Sequence, residues 1–410
     1  MDDWAPRAIS AVGLLVMMTI AWLASSNRRR IPWRTIGWGL GIQLGLGIVL
    51  LKTPAGTAFF GVVSVGVQKL LAYADAGTRQ VFGPLMDTGF SFALGVLPII
   101  IFMGSIFAIL YHLGLVQWIV RQLARLLSLT MRTSAAESLA AVSNIFVGMI
   151  ESCLIIKPYM PQLTRSELFA TMSVGMATVA GSVLLAYVNI LGGEAFAGHL
   201  LTASILSAPA GLVLAKIMVP ETETPLTTTQ TGITVERTSV NIIDAAAEGA
   251  LNGLRLAAYV GAMLVAFVAL IYMANAILGT VGGWIGLPGL TFQGLLGIGM
   301  APLAFLMGVP WSDATTVGSL MGIKIVLNEF IAYQELGARI DAGELTERSR
   351  IIASYALCGF ANFGSLAILL GGIGGMAPSR RAEVAELGLR SILAGSLATF
   401  MTACVAGMLL

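Results

Sequence analysis

Apolar runs long enough to cross a bilayer recur along this chain, and they decide most of what it can fold into. A spanning helix needs about 20 predominantly apolar residues. Runs of this kind lie near 8–25, 36–51, 90–113, 168–191, 198–217, 254–278, 350–376 and 386–409, eight in all. In hydrocarbon every backbone polar group must be satisfied within the protein, so the runs are expected to be helices. Composition agrees: 57% of residues are hydrophobic and 11% charged, against about 25% charged in soluble domains. A soluble globular enzyme is excluded. With 23 Lys+Arg against 21 Asp+Glu, neither a nucleic-acid-binding surface nor an acidic tail is indicated. The first run reads as a retained helix rather than a signal peptide, because Asp2 and Asp3 stand where a basic segment belongs and Arg28, Arg29 and Arg30 follow it. Cys153, Cys358 and Cys404 fall inside apolar stretches and read as buried thiols.

Other stretches break the pattern. Residues 58–75, with Lys69, read as an amphipathic helix lying in the interface. Residues 134–157 and 301–337 are apolar but interrupted by Gly, Pro, Asn and Glu, as expected of re-entrant hairpins whose backbone is buried in protein. The Thr-rich segment 220–241 reads as a polar linker between two halves. Each half then carries a hairpin followed by two helices. The expected organisation is scaffold and interfacial helices over 1–133, a first repeat over 134–217, the linker and a central scaffold helix over 218–300, and a second repeat over 301–410. Basic residues at 28–34, Arg121, Arg125, Arg132, Lys216, Arg237, Arg380 and Arg381 would be cytoplasmic, which places both termini outside and the two hairpins in opposite orientation. Opposed repeats with broken segments are how alternating-access carriers build a site near the midplane.

Ionisable groups within such segments are costly and call for a reason. Glu151 sits in the first hairpin and Glu329 in the second. Each could simply pair with a neighbouring cation, Lys157 or Lys324; two carboxylates at corresponding places also suggest acceptors converging on a polar, uncharged or cationic ligand. Within 357–375, Gly359, Asn362, Gly364 and Ser365 weaken a spanning helix, and Asn362 and Ser365 at i and i+3 read as ligand contacts. The counterpart 170–188 holds Gly175, Thr178, Gly181 and Ser182, where tight packing of the glycines is the simpler reading. Thr164 with Glu167 is a capping-box pattern. His112 and His199 lie near helix ends, and Trp4, Trp33, Trp38 and Trp118 fall where interfacial anchors belong. Phosphate-binding, zinc-protease, CxxC and serine-nucleophile motifs are missing from the sequence, so nothing in it supports enzymatic catalysis.

At these residues the sequence resembles the concentrative nucleoside transporters. Gly322, Lys324, Asn328, Glu329, Phe330, Ile331, Ala332 and Tyr333 match one signature of that family, and Gly359, Phe360, Ala361, Asn362 and Ser365 match a second. The resemblance implies an all-α polytopic membrane protein of about eight transmembrane helices, with two opposed re-entrant hairpins, an interfacial helix and an inverted repeat. It further implies a homotrimer in the bilayer that moves nucleoside inward with a cation by an elevator-like motion. By position, Glu329, Asn362 and Ser365 would meet the ribose hydroxyls, with Phe360 and Val183 against the substrate. Met149, Ile150 and Glu151 at the first hairpin tip would face the base. Asn144, Val147, Thr178 and Val179 would hold Na⁺, although an amide and a hydroxyl are compatible with H⁺ coupling as well.

One departure bears on specificity. Many members carry Gln-Thr-Glu at the first hairpin tip; here the tip reads Met149-Ile150-Glu151. Met and Ile offer the base almost no hydrogen bonding, so discrimination of pyrimidines should weaken, while an adaptable thioether suits a larger purine. The expectation is preference for purine nucleosides. Broad or pyrimidine-preferring proton symport, and a nucleoside sensor that binds without transporting, are the competing readings.

Overall fold

The computed structural model describes residues 4–87, 91–193, 195–228, 239–287 and 289–410, and its regular structure there is helical throughout. Arg237 lies outside the described residues. The N-terminal helices are α1 (Trp4–Leu23), α2 (Trp33–Lys52) and α3 (Pro54–Phe82), followed by a single turn, α4 (Phe92–Gly95), and by α5 (Leu97–His112) and α6 (Leu115–Met131). The first hairpin is α7 (Ala135–Phe146) with α8 (Met149–Ile155). Then come α9 (Arg165–Ala177), α10 (Gly181–Ile190), α11 (Ala195–Met218) and the long α12 (Ile242–Trp284). The second half continues with α13 (Phe292–Leu306), α14 (Trp311–Val326), α15 (Glu329–Asp341), α16 (Glu347–Leu357), α17 (Phe363–Met376) and α18 (Arg381–Leu409).

Elements α5 to α11 and α12 to α18 follow the same order: two helices, a hairpin, a broken pair and a long helix. Helices α9, α11 and α18 form the buried centre, enclosed on nearly every face, whereas α3 and α12 are largely exposed. Helix α1 packs on α18, α2 on α11 and α18, and α5 pairs along its length with α12. Among the described residues eight helices are long and apolar enough to cross a membrane.

These eight are not quite the eight apolar runs. Residues 350–376 are divided between α16 and α17, as the weak helix formers there predict. The stretch expected to be an interfacial helix over 58–75 belongs to α3, which starts at Pro54 behind the Thr53 cap and runs to Phe82. It runs past the apolar pattern, and Arg79 bridges Asp75 at 2.8 Å, one turn back, in its last part. The second hairpin also starts later than residue 301. Gly308 at φ +91° and Pro310 end α13 and open α14 at a bend of 117°, so the hairpin is α14 with α15.

Local rules set the ends of the inner helices. Thr164 and Glu167 form the expected capping box, and Ser134 with Glu137 forms another at the start of α7. Lys216, near the end of α11, pairs with Glu137 at 2.7 Å and donates to Ser166 at 3.0 Å, tying the base of the first hairpin to α9 and α11. In the second half Asp313 accepts from Thr346 and Ser349, tying α14 to α16 in the same way. Trp4, Trp33, Trp38 and Trp118 are exposed, and the three cysteines are buried and free.

Candidate functional site

The second hairpin and the break after α16 meet at two helix N-termini. Asn328 caps α15, its Oδ1 accepting from the Ile331 N–H at 2.9 Å; Asn362 caps α17, its Oδ1 accepting from the Ser365 N–H at 2.7 Å. Asn362 is therefore extended rather than helical, and its link to Ser365 is a cap, not a shared helical face. Its amide still has donors to spend, and Nδ2 donates to Glu329 Oε2 at 2.9 Å. Glu329 Oε1 accepts from the Tyr187 hydroxyl at 2.9 Å. The carboxylate is 4% exposed and sits in the first turn of α15, where the helix dipole favours negative charge. Ionised carboxylates offer about four lone-pair positions, so the two side-chain donors and the residue's own backbone N–H still leave acceptor capacity for a ligand.

Tyr187 escaped the sequence reading. It lies on α10 one turn beyond Val183, and that i, i+4 relation was the available signal. Its ring stacks on Tyr333 at 4.6 Å between centroids and meets Phe330 edge-on at 4.8 Å, which fixes the hydroxyl toward Glu329. Val183 is buried on the same helix, and Phe360 is half-buried in the break between α16 and α17. Tyr259 of α12 reaches the start of α17, its hydroxyl 3.7 Å from where a Cβ on Gly364 would stand.

Neither simple ion pair considered for the two carboxylates is present among the described residues. Lys324 instead donates to the Ala356 carbonyl at 3.1 Å and to Thr399 Oγ1 at 2.8 Å. Glu151 is exposed and Lys157 faces outward on its own.

The first hairpin turns at Gly148, whose φ of +106° an L side chain rarely adopts. A Cβ there would also stand 2.9 Å from Glu151 Oε2 and 3.2 Å from Ala180, so the tip is pressed against the break between α9 and α10. Met149 is buried with its Cβ over Gly175, and Ile150 Cδ1 lies directly on Gly372 of α17. The tip thus contributes two apolar side chains clamped between helices and one accessible carboxylate, Glu151. Gly181 packs against the Phe107 ring, as tight packing of small residues requires.

Beneath the tip, Asn144 Nδ2 donates to the Val174 carbonyl at 3.0 Å and to Thr178 Oγ1. Asn144 Oδ1 is buried without a hydrogen-bond partner. An amide oxygen without a partner near the C-terminus of α7, with the Thr178 hydroxyl at the break after α9, supplies oxygen donors of the kind a hard monovalent cation takes. The two breaks touch: a Cβ on Gly359 would stand 2.9 Å from both the Met176 and the Ala177 carbonyl oxygens. Only glycine lets the segment that leads to Asn362 pass this close to the segment that leads to Thr178.

His199 Nδ1 is 3.2 Å from the Tyr355 hydroxyl, and His112 Nδ1 is 2.7 Å from Ser239 Oγ. Neither touches Glu329.

Three family descriptions cover most of the chain: "Na+ dependent nucleoside transporter N-terminus" over residues 12–85, "Nucleoside recognition" over 93–194, and "Na+ dependent nucleoside transporter C-terminus" over 199–407. The chain belongs to the concentrative nucleoside transporter family. Relatives of this transporter include the uncharacterized transporter YutK of Bacillus subtilis, 48% identical over 97% of this chain and 98% of that protein. Solute carrier family 28 member 3 of Rattus norvegicus is 42% identical over 98% of this chain but 59% of its own length. Among solved structures, CNTnw in an inward-facing substrate-bound state superimposes with a TM-score of 0.92 at 43% identity, covering 98% of both chains. A CNTnw double variant in an outward-facing state gives 0.94, covering 99% of this chain and 98% of that one. The chain accordingly has an elevator-type transporter fold in the membrane, not an enzyme fold.

Proposed function

We propose that this transporter carries nucleosides inward together with Na⁺, with purine nucleosides preferred, as a homotrimer in the cytoplasmic or plasma membrane with both termini outside. The observation that carries the reading is the Glu329 carboxylate, held by Tyr187 and Asn362 between two helix N-termini with acceptor capacity left over. Such a group suits vicinal ribose hydroxyls, which can donate to it in pairs. Asn362, Ser365, Phe360 and Val183 complete the sugar side, and Met149, Ile150 and Glu151 the base side. Because Met149 and Ile150 are packed against α9 and α17, the base meets apolar surface there. Pyrimidine and purine edges are then told apart by fit rather than by hydrogen bonds.

Sodium is assigned to Asn144, Val147, Thr178 and Val179, supported by the orphaned Asn144 oxygen and by the sodium dependence of the family matched at both ends of the chain. The test is uptake of labelled adenosine into proteoliposomes, in sodium and in choline at fixed pH, with inosine, guanosine, uridine and cytidine as competitors. Sodium-driven uptake displaced best by purines is expected. Full uptake in choline would overturn the choice of ion, stronger displacement by uridine than by inosine would overturn the base preference, and saturable binding without accumulation would favour a sensor.

A further inference from the structure

The two hairpins break at corresponding places. Helix α7 ends at Phe146 with Val147 as its C-cap, α14 ends at Val326 with Leu327 as its C-cap, and the next helix starts two residues after each cap. Three residues before each cap stand Asn144 in the first hairpin and Lys324 in the second. Their partners lie on corresponding helices. Asn144 donates to the Val174 carbonyl in the last turn of α9, just before that helix breaks. Lys324 donates to the Ala356 carbonyl in the last turn of α16, just before that helix breaks.

Each position therefore lies between two helix C-termini, where the dipoles leave partial negative charge. Both are environments for a cation. In the first hairpin the side chain is a neutral amide whose oxygen has no partner. In the second it carries its own amino group: Nζ is bonded to Ala356 and Thr399, lies 5.6 Å from the centre of the Phe400 ring, and is fully buried. Among the described residues no carboxylate lies within ion-pair distance of it. Carbonyl ends and a ring face supply its compensation.

We propose that Lys324 is a tethered cation, its amino group holding in the second hairpin the place an inorganic cation takes beside Asn144 in the first. The proposal rests on the cation reading of Asn144 and Thr178. Lys324 acts as a positioning residue. By pinning the ends of α14 and α16 to α18 it fixes the breaks from which Glu329 and Asn362 project, so the sugar side of the site stays assembled without an ion. Only the first hairpin is left dependent on the coupling cation.

Adenosine binding to the purified full-length protein, titrated with NaCl, separates this from a packing role. Wild type should show a sodium Hill slope of about one, whereas Lys324→Asn, which gives the second hairpin the residue of the first, should need about ten-fold more sodium and steepen toward about two. Lys324→Ala should bind adenosine roughly ten-fold more weakly and recover with methylammonium chloride but not with choline chloride at equal ionic strength. Thermal unfolding reports whether each variant folds; if Lys324→Ala does not, the Lys324→Asn curve decides. A Lys324→Asn curve that superimposes on wild type, or an Ala defect that methylammonium leaves unchanged, overturns the proposal. Sodium-independent binding by wild type overturns the reading of Asn144 and Thr178 instead, and methylammonium rescue then decides the role of Lys324 alone.

Discussion

Glu329→Gln is the substitution that isolates the substrate's share of the site. A glutamine can keep both protein contacts: its Oε1 accepts from Asn362 Nδ2, and its Nε2 donates to the Tyr187 hydroxyl, which can turn from donor to acceptor. The surrounding framework therefore survives, and what changes is the acceptor offered to the ligand. A hydrogen bond to a charged group is worth about 1.5–3 kcal/mol and a neutral one about 0.5–1.5 kcal/mol. The exchange costs about 1 kcal/mol or slightly more per ribose hydroxyl. For two hydroxyls that is about 2–3 kcal/mol, or roughly 30- to 150-fold in uptake efficiency at about 1.4 kcal/mol per factor of ten. The assay is concentration-dependent uptake of adenosine, 2′-deoxyadenosine and 3′-deoxyadenosine by wild type and variant. If the carboxylate meets the ribose, the penalty of the substitution shrinks for each deoxy substrate, because the two deletions remove the same bond. An equal penalty on all three substrates, or normal uptake by Glu329→Gln, would refute the assignment.

Thr178→Val removes the hydroxyl that accepts from the Asn144 amide and should raise the sodium concentration for half-maximal uptake about ten-fold, equivalent to about 1.4 kcal/mol, with little change in nucleoside affinity at saturating sodium. Met149→Gln should improve competition by uridine and cytidine relative to inosine, read in the same competitor panel, and a uniform loss for all nucleosides would argue against base contact at the tip. Gly148→Ala forces a Cβ into a positive-φ turn against Glu151 and Ala180, and should lower the thermal unfolding temperature and abolish uptake, with strain on the order of 1–3 kcal/mol. Tyr187→Phe leaves the aromatic stack intact but takes one donor from Glu329; stability should fall by about 1.5–3 kcal/mol while the nucleoside KM rises.

Much of the fold was legible because hydrocarbon punishes ambiguity: a long apolar run has to be a helix. The break near Asn362 was readable from weak helix formers, and the Thr164–Glu167 cap from its spacing. The late start of the second hairpin was written in the Gly308 to Pro310 sequence, but an apolar pattern continuing across it masked the signal. The full length of α3 was not legible because the helix continues past residue 75 through polar residues that break the apolar pattern. Glu329 and Asn362 stood out as polar residues in an apolar setting. Tyr187 did not, since a tyrosine in an apolar helix gives no hint of where its hydroxyl points. Nor could Lys324 be assigned a partner from sequence: its acceptors are a backbone carbonyl and a threonine on a helix far along the chain, neither of which carries an opposite charge.

Gly359 sets the distance between the two halves of the site to a single backbone contact, against the carbonyls of Met176 and Ala177. On the proposed assignment, a cation that stiffened the turn at Thr178 would alter what this contact presents to Asn362, and a nucleoside bound at Asn362 would press back on the same carbonyls. Linkage then demands that the factor by which the ion tightens nucleoside binding equals the factor by which nucleoside tightens the ion. A bulkier residue at position 359 would weaken that coupling equally in both directions, leaving a carrier that still binds each ligand but lets either one slip across alone.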